Sequence, residues 1–168
     1  FVDEFIHQCC ELINATKGNC FILFTSYRML TIASRELSRK IKNKLFVQGK
    51  MQRSELLKSY MKASNPVLLG TSSFWEGVDV KGDKLKLVII DKLPFKSPGD
   101  PVYKRRLQRV TESGGNAFKE VQIPEATISL RQGVGRLIRD ASDTGIVMIA
   151  DNRLKTKPYG RDFLNSLP

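Results

Sequence analysis

Apolar positions along the chain fall into two alternating rhythms. Residues 1–16 carry Val2, Phe5, Ile6, Cys9, Leu12 and Ile13 at helical spacing, and Gly18-Asn19 ends the pattern. The continuous apolar run 20–24 reads as a buried strand, and Thr25-Ser26 behind it supplies a helix N-cap. Residues 27–41 return to helical spacing through Leu30, Ala33, Leu37 and Ile41. Short apolar runs at 45–47, 67–70, 85–90 and 145–150 read as four further strands. Helices are predicted over 54–63, with Leu57, Tyr60 and Met61 inward, over 101–111, from Pro124 through residue 140, and over 161–167. Residues 91–100, with Pro94, Pro98 and Gly99, read as a loop of little hydrophobic content.

Strand and helix alternate almost throughout, and the strand-like runs are apolar at consecutive positions. A strand buried on both faces requires that, so the expected fold is one α/β domain, an open, mainly parallel sheet with helices on both faces. In such sheets working residues gather at the carboxyl ends of strands. Three predicted strand ends are rich in chemistry: Thr25-Ser26, the stretch from Thr71 to Asp79, and Asp151-Asn152-Arg153.

Composition narrows the partners. The chain has 168 residues, 28 Lys plus Arg against 17 Asp plus Glu, and a net charge of +11. That balance favours a polyanion, nucleic acid before membrane. No apolar run reaches membrane-spanning length and no signal peptide is visible, which points to a cytoplasmic protein without a membrane partner. Cys9, Cys10 and Cys20 have no metal-ligand spacing, and His7 has no Cys or His partner at such spacing, so no metal site is expected. The chain starts without Met and reads as a fragment of something longer.

The stretch 130–140, Leu-Arg-Gln-Gly-Val-Gly-Arg-Leu-Ile-Arg-Asp, reads as a helix. Gln132, Arg136 and Arg139 would then share one face within roughly 60°, with Val134, Leu137 and Ile138 opposite. Gly133 and Gly135 would leave the sides of that polar stripe bare, at about 1 kcal/mol each in helix propensity. Two aligned guanidiniums beside bare backbone suit a bulky anion, since the Arg fork matches phosphate.

At 70–79 small hydroxyls come first, then Phe74 and Trp75, then Glu76 and Asp79 around Gly77. Thr71 and Ser72 suit backbone phosphates, Trp75 could stack on a base, and the carboxylates could accept from ribose or hold an arginine. No Gly-x-x-x-x-Gly-Lys-[Ser/Thr] loop occurs, no Asp-Glu pair follows a strand, and no triad can be built around His7. A self-sufficient hydrolase is therefore not expected. The arginines fit fingers offered to a site that another domain completes.

These residues resemble a family. Gln132-Gly133-Val134-Gly135-Arg136-Leu137-Ile138-Arg139 is similar to motif VI of superfamily 2 helicases, Gln-x-x-Gly-Arg-x-x-Arg. Residues 70–79 resemble motif V of the DinG/XPD branch, and Phe24-Thr25-Ser26 resembles motif IV. Lys92-Leu93-Pro94-Phe95, Arg153-Leu154 and Pro158-Tyr159-Gly160-Arg161 further resemble bacterial DinG/YoaA-like proteins. The resemblance implies that residues 1–168 form the second RecA-like domain of an ATP-dependent 5′-to-3′ DNA helicase. The ATP phosphate loop and Mg²⁺ ligands would lie in the N-terminal RecA-like domain of the same protein. That missing part could also hold an iron–sulfur cluster.

The resemblance also implies roles. Arg136 and Arg139 would reach the ATP phosphates, and Gln132 would sit near the attacking water. Glu76, Gly77 and Asp79 would line the interdomain cleft. Thr25, Ser26, Thr71, Ser72 and Trp75 would hold single-stranded DNA. The competing reading is a non-catalytic basic nucleic-acid-binding module, which explains the charge but not the helical phase of Gln132, Arg136 and Arg139. A methyltransferase-like enzyme lacks support, because Thr25-Ser26-Tyr27 stands where its glycine-rich turn would follow the first strand.

Overall fold

The computed structural model describes residues 1–71, 74, 78–80, 82–138 and 141–168. The helices are α1 (Val2–Thr16), α2 (Tyr27–Lys40), α3 (Arg53–Lys62), α4 (Pro101–Glu112), α5 (Ile123–Val134), α6 (Arg153–Thr156) and α7 (Gly160–Ser166). The strands are β1 (Cys20–Phe24), β2 (Leu45–Val47), β3 (Val67–Thr71), β4 (Leu87–Ile90) and β5 (Ile146–Ile149). They form one sheet in the order β2-β3-β1-β4-β5, and every described pairing is parallel. The α/β expectation holds.

Side-chain alternation divides the core between the two faces. Cys20, Ile22 and Phe24 of β1, Val67 and Leu69 of β3, and Leu87 and Ile89 of β4 pack with α1 and α2. Their neighbours Phe21, Leu23, Leu68, Val88 and Ile90 face the other way, against Leu56 and Tyr60 of α3, Leu130 and Val134 of α5, and Phe163 of α7. Both sheet faces are covered, which is why the strand sequences are apolar without interruption.

The same division positions the site. β1 delivers the chain into α2 on the first face, whereas Phe74, Val78 and Val80 after β3, and Leu93 after β4, pack on the second. Connections that leave neighbouring strands toward opposite faces open a crevice at the strands' carboxyl ends. Register puts Phe24 opposite Thr71 and Leu23 opposite Ile90, so Thr25, Thr71 and Asp91 emerge together there.

Several boundaries differ from expectation for identifiable reasons. The helix expected to run through residue 140 ends at Val134, with Gly135 as its cap. The Gly135, Arg136 and Leu137 N–H groups bond back to Arg131, Gly133 and Val134, the tightening that closes a helix. Gly133 in its last turn and Gly135 at its cap lower helix propensity enough for tertiary contacts to stop it. Gly133 is buried rather than bare, while Val134 and Leu137 are buried as expected.

Pro124 stands in the first turn of α5, which begins one residue earlier at Ile123, but the helical path starts before it. A π-helical stretch, Phe118–Gln122, runs directly into α5, and the wider turn accommodates a proline that has no N–H to give. In α3 the buried side chains are Leu56 and Tyr60, not Met61, which is 37% exposed. The 91–100 segment carries more of the core than its prolines suggested. Leu93 is buried, and Phe95 packs against Phe118, Tyr159 and Phe163 with ring centroids 5.6–5.9 Å away.

Candidate functional site

Polar side chains link strand ends along the carboxyl edge, bridging gaps beyond the backbone ladder. Gln48, just after β2, accepts from the Thr71 N–H at 2.6 Å and from Thr71 Oγ1 at 3.0 Å through its Oε1. Its Nε2 donates to the Tyr27 hydroxyl at 2.8 Å. Asp91, just after β4, accepts the Thr25 N–H at 2.9 Å, with Thr25 Oγ1 a long 3.5 Å from its other oxygen. Asp151, just after β5, accepts the Leu93 N–H at 2.8 Å and is gripped by Arg153 through Nε at 2.9 Å and Nη2 at 2.6 Å.

The two aspartates are electrostatically opposite. Asp91 is 1% exposed, and burial pushes its pKa up to about 6, although N–H bonds from Thr25 and Lys92 and the Lys92 charge oppose the rise. Burial raises Asp151 as well, but the Arg153 side chain and the Leu93 and Arg153 N–H groups together outweigh it and hold its pKa below the usual range. The Asp151 partner lifts the pKa of Arg153, keeping that guanidinium charged.

The expected DNA-contacting residues separate into two groups. Ser26 is exposed, and its hydroxyl oxygen caps α2 by accepting from the Met29 N–H at 3.3 Å. That leaves the Ser26 hydroxyl proton for an outside acceptor. Thr25 gives its N–H to Asp91, and Thr71 gives its N–H to Gln48, so these two form an anchored floor. Ser72 and Trp75 lie outside the described residues, as do Glu76, Gly77 and Arg139.

Of the expected nucleotide-facing residues, Gln132 and Arg136 flank the end of α5. Gln132 is exposed on its last turn. Arg136 is half-buried just beyond it, and its Nη1 donates to the Val78 carbonyl at 3.0 Å. This bond ties the segment after α5 to the loop that leaves β3, where Val78 is buried and Asp79 is exposed. A charge-assisted bond of this kind is worth about 1.5–3 kcal/mol where one partner is buried. Gln132 and Arg136 do not share an uninterrupted helix. A turn places Arg136, not helical phase.

Sequence reasoning missed Gln48, Tyr27 and Asp91. Asp91 had a legible signal, a carboxylate directly after an apolar strand. Gln48 had none, because its role depends on β2 lying beside β3.

Residues 9–168 match the family model described as the helicase C-terminal domain. The chain belongs to that family. Within it, the chain is 50% identical over 157 residues to the ATP-dependent DNA helicase YoaA of Escherichia coli K12, covering 94% of this chain and 25% of that protein. It is 42% identical over 174 residues to the 3′-5′ exonuclease DinG of Bacillus subtilis, covering 98% of this chain and 19% of that protein. An apo XPD structure superposes with a TM-score of 0.76 at 24% identity, covering 96% of this chain and 33% of that one, a likeness of fold. The family and these likenesses support the DinG/XPD branch of superfamily 2 and a RecA-like sheet. The helicase C-terminal domain seen here spans about a quarter or less of the relatives' length.

Within this domain the residues fit phosphate better than metal. Arg136 offers a guanidinium, whereas no group of three His, Cys, Asp or Glu among the described residues could hold a metal ion. Burial raises the Cys9 and Cys20 thiols, disfavouring the thiolate that a metal or cluster takes. No helix among the described residues is long and apolar enough to cross a membrane.

Proposed function

We propose that this chain is the second RecA-like motor domain of a cytoplasmic, ATP-dependent 5′-to-3′ DNA helicase of the DinG/YoaA type. The observation that carries the reading is the Arg136–Val78 bond, which joins the arginine-bearing segment to the loop leaving the carboxyl edge. A nucleotide drawing on Arg136 therefore pulls on the same loop that begins at Thr71. This gives a physical route from nucleotide state to DNA grip, in the sense of an element both sites bias.

ATP with Mg²⁺, bound chiefly by the N-terminal RecA-like domain, supplies the polyphosphate on which charge develops. Arg136 and Arg139 neutralise that charge, a contribution of about 10³–10⁵ in rate for such fingers. Gln132, exposed one turn earlier, orients water at the γ-phosphate. Glu76, Gly77 and Asp79 line the cleft between the domains. On the carboxyl edge Ser26 donates to single-stranded DNA, Thr25 and Thr71 shape the floor beneath it, and Ser72 and Trp75 complete the grip. An iron–sulfur cluster would belong to the part of the protein outside this chain.

Arg139→Ala in the intact protein tests the reading. ATP hydrolysis is expected to fall to background while the affinity for single-stranded DNA stays within about twofold. Lost DNA binding with normal hydrolysis would sink the assignment. The isolated chain is expected not to turn over ATP, and DNA-stimulated turnover by it would contradict the two-domain site.

A further inference from the structure

Hydrogen-bond direction around Gln48 decides which hydroxyl at this corner of the carboxyl edge still has a proton to give. The Thr71 N–H can only donate, so the Gln48 atom facing it at 2.6 Å is the amide oxygen. The same oxygen accepts from the Thr71 hydroxyl at 3.0 Å. The amide nitrogen is thereby turned toward Tyr27, whose phenol oxygen accepts from it at 2.8 Å. A phenol that accepts from an amide keeps its own proton for a third group, and the accepted bond makes that proton a better donor.

Tyr27 is 60% exposed and lines a groove of about 630 Å³ between α2 and the edge strand β2. Thr31 and Ser34 line the α2 bank, and Gly49 and Lys50 line the other. Gly49 has a φ of +94° and open space where a Cβ would stand, so that bank is bare backbone there. Among the described residues no carboxylate pairs with Lys50. Arg35 lines the α2 bank as well, but it is paired with Glu36 at 3.2 Å. Neutral donors spaced around Lys50 suit a phosphodiester backbone, with one charge per unit and acceptor oxygens between.

We propose that Tyr27, oriented by Gln48, binds single-stranded DNA by donating its phenol hydrogen to a phosphodiester oxygen, while Lys50 takes a neighbouring phosphate in the α2–β2 groove. Gln48 is a positioning residue, setting the direction in which Tyr27 can donate. The proposal rests on the reading that this edge holds DNA, and it extends the contact beyond the hydroxyls after β1 and β3.

The test is fluorescence anisotropy of the intact protein with labelled oligothymidylate across a salt series. Tyr27→Phe keeps the ring and removes the donor, so affinity is expected to fall about tenfold, the scale of one hydrogen bond to a charged group. The slope of log K against log salt should stay unchanged. Lys50→Gln should reduce that slope by about 0.7, one phosphate contact on a single strand. Gln48→Glu keeps an oxygen for Thr71 but puts an acceptor against Tyr27, capturing its proton. In that background Tyr27→Phe should cost nothing further.

Wild-type affinity in Tyr27→Phe, or an equal Tyr27→Phe loss in both backgrounds, overturns the proposal. An unchanged slope in Lys50→Gln overturns the groove assignment. Loss of labelled polyglutamate binding in Tyr27→Phe and Lys50→Gln, with oligothymidylate affinity unchanged, assigns the groove to an acidic peptide and likewise overturns the proposal. Failure of the wild-type protein to bind oligothymidylate at all instead defeats the underlying helicase reading.

Discussion

Asp91 makes the stability of this domain depend on pH in a direction opposite to most carboxylates. Its side chain is 1% exposed, and burial raises its pKa from 3.8 to about 6. A raised value means that the folded state holds the proton more tightly than the unfolded chain. The stabilisation is fully present below about pH 4 and is lost as pH rises through about 6. Two units of displacement correspond to about 3 kcal/mol at 1.36 kcal/mol per unit. Asp91→Asn keeps an oxygen for the Thr25 N–H but cannot ionise, so its contribution is flat across that window. Urea unfolding of both proteins between about pH 4 and pH 8 isolates the group, because every other titration cancels in the difference. The variant should gain on the wild type by up to about 3 kcal/mol as pH rises. A difference that is flat with pH, or that shrinks toward neutrality, would refute the assignment of Asp91 as a buried carboxyl at the β1–β4 junction.

Asp151 should behave with the opposite sign. Its depressed pKa gives stability that is present above the ordinary carboxylate value and lost as pH falls through the folded value, so Asp151→Asn should flatten the acid limb of the unfolding curve. Gly160→Ala should destabilise by about 2 kcal/mol or more in thermal unfolding, since a Cβ there would lie 2.1 Å from the Leu154 carbonyl oxygen, backbone that cannot step aside. Tyr60→Phe should cost about 1–2 kcal/mol, because the buried Tyr60 hydroxyl donates to the Lys84 carbonyl at 2.6 Å and its loss leaves that acceptor without this bond. Unfolding midpoints unchanged within error would remove these two residues from the account.

The strands and most helices were legible from local pattern because their signals are local. Phe21 to Phe24 can be recognised as a two-sided strand from adjacent apolar residues, and Ser26 as a cap from its place before an amphipathic helix. The motif segments around Thr71 and Arg136 were legible for the same reason, as contiguous strings. Helix ends were less so. Beyond the end of α5 the Arg136 side chain is held by the Val78 carbonyl, a group 58 residues away, which no local rule registers.

The sequence by itself determined a two-faced parallel sheet, an excess of positive charge, and the order in which hydroxyls, carboxylates and arginines occur. Those properties live in composition and in spacings of a few residues, where periodicity and chain stereochemistry act. Only the tertiary structure decided which partner each polar group found. It gave the Thr71 donors to Gln48, the Thr25 N–H to Asp91 and one Arg136 donor to Val78. Hydrogen bonds are short-ranged and directional, so their partners follow from which strands lie side by side, and strand order β2-β3-β1-β4-β5 is not written in any single segment.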